Sequence, residues 1–405
     1  MSATTNGQPP DVAADVSPTQ NVEFVNDLGM YVWAKPTLPV GSPAPTPEAS
    51  PVPLNTFWCS GTGANGLPLS GCLNGAPISG YDLTDTQVGY DKSLGLWLAS
   101  TLNFTDTPGT GTPDYVYLAV SNTGDAAGTW TKWSVSACTG SYADADQPLL
   151  GWSNSYVGVD ILCFNSNGNL GPDNLIVVPN SSVAPTPASS LPASITPPCI
   201  GTTPARDEDG EYGSLYLVAS VVPGDSTISE PAGCGVQGAN TLPYVLEYTA
   251  DNTGVAGNNG TLCQSNSSCA PLSVSPQFGN PGLYDTPHAL QAGCSQLNCQ
   301  IDANVARITS AQIRLADFAN QAYPFLTLDF VSGFQSNDNL TGSQDLWFIE
   351  NGGTGSWWAL SLAGNNYWIS YPTIALDSDL DIYLGSTWFT AGIYPSTVWD
   401  MYHGL

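Results

Sequence analysis

The chain has 405 residues, with 6 Lys plus Arg against 34 Asp plus Glu and a formal net charge of −28 at pH 7. So few cations cannot cluster into a phosphate-binding stripe, which excludes nucleic acid as a partner, and they disfavour an anionic membrane surface. No apolar run reaches the roughly 18 residues of a spanning helix, so membrane insertion through a helix is not expected.

Residues 1–19 are polar and Pro-containing and read as an arm. Within residues 20–35, Val22–Val25 and Met30–Trp33 read as a hairpin turning at Asn26-Asp27 and Gly29. Seven prolines stand between Pro36 and Pro53. They make residues 36–53 a stiff, extended spacer. Residues 54–405 read as one β domain, which the length allows.

In that domain short apolar runs alternate at period two, each closed by Gly, Pro, Asn or Asp. Val88–Tyr90, Leu94–Leu102, Tyr115–Val120 and Trp130–Val135 form one four-stranded set. Leu149–Trp152, Tyr156–Phe164 and Leu175–Val178 form a second, followed by a Ser/Pro-rich connection, 181–198. Leu215–Val222 and Tyr244–Tyr248 begin a third. Residues 251–300, rich in Gly, Asn, Ser and Cys, read as crosslinked loops. Val305–Ile313, Phe325–Phe330 and Leu346–Glu350 begin a fourth, although Val305, Ile308, Leu315 and Phe318 also fit one helix face. Trp357–Leu362, Tyr367–Tyr371, Ile374–Leu376, Ile382–Thr387 and Thr397–Tyr402 close the chain.

Ten cysteines make an even number: Cys59, Cys72, Cys138, Cys163, Cys199, Cys234, Cys263, Cys269, Cys294 and Cys299. Zinc spacing is poor, and His288 and His403 are the only histidines. Disulfides between sequence neighbours fit better, in a secreted, extracellular or cell-surface protein. Met1-Ser-Ala shows no signal peptide, so a leader removed beforehand is expected. Asn103, Asn180, Asn259, Asn266 and Asn339 stand in glycosylation sequons.

A phrase recurs with drift: Asp146-Gln-Pro148, Tyr371-Pro372 and Tyr394-Pro395 each introduce an apolar run. Four-stranded sets at this spacing point to an all-β fold built by radial repetition. The expectation is a β-propeller of about six, six or seven, four-stranded blades. The N-terminal hairpin and Thr397–Tyr402 would pair to close it.

The phrases Val22-Glu-Phe-Val-Asn26, Met30-Tyr-Val-Trp33, Val88-Gly-Tyr-Asp91, Leu96-Trp-Leu98, Tyr117-Leu-Ala-Val-Ser121, Gly128-Thr-Trp130, Asp146-Gln-Pro148-Leu-Leu-Gly151 and Tyr371-Pro-Thr-Ile-Ala-Leu-Asp377 with Ile382-Tyr-Leu-Gly385 run in order along the chain. In them the chain resembles an uncharacterised family of secreted bacterial β-propeller proteins, related in architecture to sialidases and Asp-box repeat proteins. The resemblance implies the propeller fold and no settled activity. Asp377-Ser-Asp379-Leu-Asp381 departs from it, lacking the Gly of the usual acidic turn.

Sialidase chemistry needs arginines gripping a carboxylate, and only Arg206, Arg307 and Arg314 exist. A serine triad has only His288 or His403 as base, with no Gly-x-Ser-x-Gly elbow. Glycoside hydrolysis needs a carboxylate pair, and no spacing singles one out. Asp377, Asp379 and Asp381 alternate, as do Asp207, Asp209 and Glu211, the hard-oxygen pattern of a calcium loop, so Ca2+ is a candidate cofactor. Acidic strand-capping turns give the same pattern. Of the many tryptophans, Trp357 and Trp358 are candidates to stack on sugar, since adjacent strand residues face opposite sides.

The function these features favour is binding or structure rather than catalysis: adhesion, glycan binding or extracellular assembly. One alternative is a filament or surface-layer subunit that self-associates through its N-terminal arm. Another is an extracellular glycoside hydrolase of sialidase-like fold.

Overall fold

A computed structural model describes residues 12–26, 28–35, 51–105, 113–166, 169–197, 199–221, 244–251, 254–256, 262–263, 289–290, 300–301, 308–318, 321–333, 343–351, 356–362, 368–376, 381–390 and 393–402. Beyond residue 219, side chains are described at only part of these positions. The chain divides into two compact units, residues 1–196 and 197–405.

The first unit opens with β1 (Val12–Val16), β2 (Gln20–Val25) and β3 (Gly29–Ala34), an antiparallel sheet in that order. The expected arm therefore contains a strand, because Val12–Val16 ladders along β2 from Val25 to Asn21. Gly29 holds φ +145 against the Val52 carbonyl, where a Cβ would collide. Met30 and Val52 exchange both backbone hydrogen bonds, at 2.8 and 3.0 Å. The end of the Pro-rich stretch is thus tied back to the hairpin it was expected to hold at a distance.

A short helix follows, α1 (Leu54–Cys59), and then two short strands, β4 (Cys72–Leu73) and β5 (Ala76–Pro77). Six residues are too few for a helix to stand alone. Buried Phe57 and Trp58 anchor it, a Cys59–Cys72 disulfide crosslinks it, and the Lys132 ammonium caps the Phe57 carbonyl. The 36–53 spacer thus gives way to packed structure at Val52.

The second sheet is β6 (Tyr81–Asp91), β7 (Leu96–Thr105), β8 (Tyr115–Ser121) and β9 (Trp130–Ser136), in sequence order. It is the first four-stranded set read from the sequence. The third comprises β10 (Asp144–Trp152), β11 (Tyr156–Phe164) and β12 (Asn174–Pro179), again in order, and matches the second set. A Cys138–Cys163 disulfide joins the link after β9 to β11. Both bonds join sequence neighbours, and Cys199 is also disulfide-bonded.

Alternation along β7 and β8 assigns the core. Trp97, Ala99, Tyr117 and Ala119 face Val22, Phe24, Met30 and Val32 of the first sheet, with Phe57 and Trp58 between. Leu98, Leu102, Val116, Leu118 and Val120 face Leu150, Trp152, Val159, Ile161, Ile176 and Val178 of the third. The middle sheet is therefore buried on both sides, and the three sheets stack in series. Each large side chain so covered contributes about 1.5–3 kcal/mol. The hairpin packs into its own chain, with Val22, Phe24, Met30 and Val32 in the core it shares with the second sheet.

The second unit opens with β13 (Thr202–Pro204), β14 (Arg206–Asp207), β15 (Leu215–Val221), β16 (Tyr244–Asp251), β17 (Gly254–Ala256) and β18 (Leu262–Cys263). Strands β13, β15, β16, β17 and β18 form one sheet in that order. A two-stranded ladder joins β19 (Ala289–Leu290) to β20 (Gln300–Ile301). Next come β21 (Ile308–Phe318), β22 (Gln321–Gly333), β23 (Ser343–Asn351) and β24 (Ser356–Leu362), an antiparallel meander with β14 parallel to β21. The segment with two possible periods is therefore a strand: its backbone pairs with β22 from Ile308 to Phe318. The chain ends with β25 (Trp368–Leu376), β26 (Ile382–Thr390) and β27 (Ile393–Tyr402) as a three-stranded sheet.

Candidate functional site

The recurring Pro phrase marks breaks in register. The β10 ladder shifts between Asp146 and Leu149, the β25 ladder between Ser370 and Thr373, and the β26–β27 ladder between Trp388 and Thr390. Pro148, Pro372 and Pro395 stand in these breaks. A residue without N–H fits where the ladder is interrupted, and a bulge turns neighbouring side chains to new directions.

Two such bulges meet in the first unit. In β6 the shift lies between Thr84 and Gln87, and Asp85 takes φ +51. In β10 Gln147 takes φ +46. These are left-handed conformations that side-chain-bearing residues seldom adopt, and such strain persists where the surroundings enforce it. Here the enforcement is a shared hydrogen bond. The Gln147 N–H donates to Asp146 Oδ1 at 2.9 Å and lies 3.4 Å from Asp85 Oδ2. Two carboxylates from the leading strands of neighbouring sheets thus converge on one backbone donor.

Each limb is braced. Thr84 Oγ1 donates to Asp85 Oδ1 at 3.1 Å and accepts from Asn26 Nδ2 at 3.2 Å. Thr101 Oγ1, opposite the bulge, donates to the Thr84 carbonyl at 2.8 Å. On the β10 side Asp114 accepts from the Ala145 N–H at 2.9 Å and from the Thr105 N–H at 2.8 Å. Burial pushes the Asp114 carboxyl up to about 6; its two backbone donors pull the other way and nearby Asp144 adds to the rise. Asp85, Asp146 and Gln147 are half-buried, so the pair is reachable while its backbone is fixed. Two differently placed carboxylates are the minimum for acid–base hydrolysis of a glycosidic bond.

The residues singled out from the sequence fall elsewhere. Asp207 turns its carboxylate onto the backbone N–H groups of Asp209, Gly210 and Tyr212, at 3.3, 2.9 and 2.8 Å. Burial raises its pKa, and those donors oppose the rise. Asp209 pairs with Arg314 at 3.0 Å. Asp207 therefore directs its oxygens at its own turn and Asp209 directs one at a cation. Among the described residues no group of three or more His, Cys, Asp or Glu is placed to hold a metal ion. Asp381 precedes β26, while Asp377 and Asp379 lie outside the described residues. Trp357 and Trp358 lie on β24, paired in backbone register with Glu350 and Ile349, and their side chains are outside what is described.

Two of the sequon asparagines are buried in the folded chain. Asn103 has no exposed surface, and its amide donates to the Tyr117 hydroxyl at 2.5 Å. Asn180 is buried and donates to the Ser153 carbonyl at 3.2 Å. Neither can present its amide for glycosylation once folded. Asn259, Asn266 and Asn339 lie outside the described residues, as do Cys234, Cys269, Cys294 and Cys299, whereas Cys263 lies on β18.

No family model and no curated protein matches the chain. Several solved structures are similar. A xylan β-1,4-xylosidase from Bacillus halodurans C-125 is 9% identical, with 97% of this chain and 52% of that one covered at a TM-score of 0.37. A Trypanosoma rangeli sialidase in complex with sialic acid is 10% identical, with 96% and 53% covered at 0.41. The parainfluenza virus 5 haemagglutinin-neuraminidase ectodomain is 8% identical, with 97% and 82% covered at 0.46. The chain spans about half the length of the xylosidase and the sialidase. These likenesses are too loose to carry an argument about reaction or substrate. Against the leading expectation of a binding or structural role, these proteins are named as a xylosidase, a sialidase and a haemagglutinin-neuraminidase.

Proposed function

We propose that this chain is a glycoside hydrolase of β-propeller architecture that works outside the cytosol on neutral glycan. The observation that carries the reading is the convergence of Asp85 and Asp146 on the Gln147 N–H, across two strained bulges. One carboxyl protonates the leaving oxygen while the other acts as nucleophile, since two oxygens sharing one N–H leave no room for an intervening water. The stacked sheets of the first unit support the architecture, each middle-sheet face packing on a neighbouring sheet. Two disulfides support an oxidising compartment.

A neutral substrate follows from charge. The net charge of −28 repels anionic sugars. Among the described arginines, Arg314 is engaged by Asp209 and Arg206 stands on β14, so no cluster that would grip a carboxylated sugar is described.

The test is release of nitrophenol from neutral aryl xylosides, arabinosides, mannosides and glucosides, with an aryl sialoside as the anionic control. Wild-type protein cleaves at least one neutral substrate. Asp85→Asn and Asp146→Asn each lower kcat by about 10²-fold or more, the usual worth of a positioned acid or base. Folded wild-type protein inert across the panel, or fully active Asn variants, would overturn the reading.

A further inference from the structure

We infer that Asp114 is a positioning residue: its carboxylate clamps the leading end of β10 to the second sheet, setting the separation of Asp85 and Asp146 and releasing it on acidification. The inference rests on the proposed carboxylate pair for its consequence, but not for its geometry.

Asp114 stands just before β8 and is buried. One oxygen accepts the Thr105 N–H at the end of β7, and the other accepts the Ala145 N–H in β10. Its own carbonyl accepts the Ala137 N–H at 2.8 Å, which holds the residue to the link after β9. Ala145 directly precedes Asp146, where the β10 bulge begins. Asp85 belongs to β6 of the sheet that contains Thr105. The carboxylate therefore spans the same two sheets whose leading strands carry the pair.

Both clamp bonds need an acceptor. A protonated carboxyl keeps one good acceptor oxygen and gains an O–H, which cannot accept well from the second N–H. Protonation thus opens one side of the clamp. Burial places this event near pH 6, above the ordinary carboxylate range. Among the described residues the titratable groups facing Asp114 are Asp144 on β10, which favours proton uptake, and Tyr81 on β6, whose hydroxyl donates to the Pro113 carbonyl at 3.1 Å.

Hydrogen exchange read by mass spectrometry tests the clamp on the full chain. In wild-type protein, exchange in peptides covering Asp144–Leu149 and Thr105, corrected for intrinsic pH dependence, accelerates several-fold as pH falls from 7.5 to 5. In Asp114→Asn, whose amide offers one acceptor at all pH values, exchange there is already fast at pH 7.5 and the pH step disappears. Unchanged protection in either comparison overturns the clamp. The wild-type titration stands even where the variant does not fold. If a neutral glycoside is cleaved, Asp114→Asn lowers kcat more than it changes KM and flattens the acid limb of the pH profile. If none is cleaved, the exchange result still decides the clamp while the hydrolase reading falls.

Discussion

The Trp152 indole of the third sheet lies where a β-carbon on Gly89 of the second would stand. Trp152 has no exposed surface and fills the seam between the two sheets. A glycine in β6 is the condition for that close approach, since any side chain there would have to displace an aromatic ring.

Gly89→Ala is therefore expected to destabilise the fold by about 1–3 kcal/mol through overpacking. Urea melts followed by tryptophan fluorescence would show a lower midpoint. An unchanged midpoint would mean that the indole moves aside at no cost.

The Cys138–Cys163 bond closes 25 residues of chain and crosslinks a buried part of the second core. Replacing both cysteines with serine should cost about 2–5 kcal/mol. Thermal melts of the double variant against wild type measure it.

Lys132 is buried over the Phe57 ring at 4.7 Å, and burial lowers its pKa from 10.5 to about 8. Between pH 8 and 10.5 the unfolded chain then binds more protons at this site than the folded one, so stability contributed here rises with pH. Below pH 8 the cost of burying the ammonium is fully present. Subtracting the stability–pH curve of Lys132→Met from that of wild type should isolate a rise confined to this window. A flat difference would show that the amine does not titrate there.

Asn103 should carry no glycan when the protein is secreted from a glycosylating host. Peptide mass mapping after enzymatic deglycosylation would leave Asn103 unconverted. Asn103→Ala, by contrast, should cost about 1–3 kcal/mol, because the Tyr117 hydroxyl loses a buried partner.

The Pro phrases show how a local signal can be readable and still be misplaced. The sequence reading set Pro148 at the opening of a strand. The structure sets it inside β10, because residues on both sides of the bulge pair with β11. The phrase did mark an exceptional place in the ladder. Nothing local revealed that Asp85, 62 positions earlier than Gln147, would stand opposite it. Asn103 teaches the converse. Its sequon is a three-residue pattern, whereas its burial depends on Tyr117 in the next strand and on Gly71 in the segment before β4.

Period-two alternation and turn residues made the all-β class and the strand sets of the first unit legible in the sequence, and near-neighbour cysteines suggested the Cys59–Cys72 and Cys138–Cys163 bonds that the structure then decided. These are short-range properties, legible within a few tens of residues. Tertiary structure decided that the middle sheet is covered on both faces, that two bulges bring Asp85 and Asp146 to one N–H, and that the Asp207 loop spends its oxygens on itself. Those outcomes depend on which distant strands lie side by side, and packing free energy summed over whole sheets sets that arrangement.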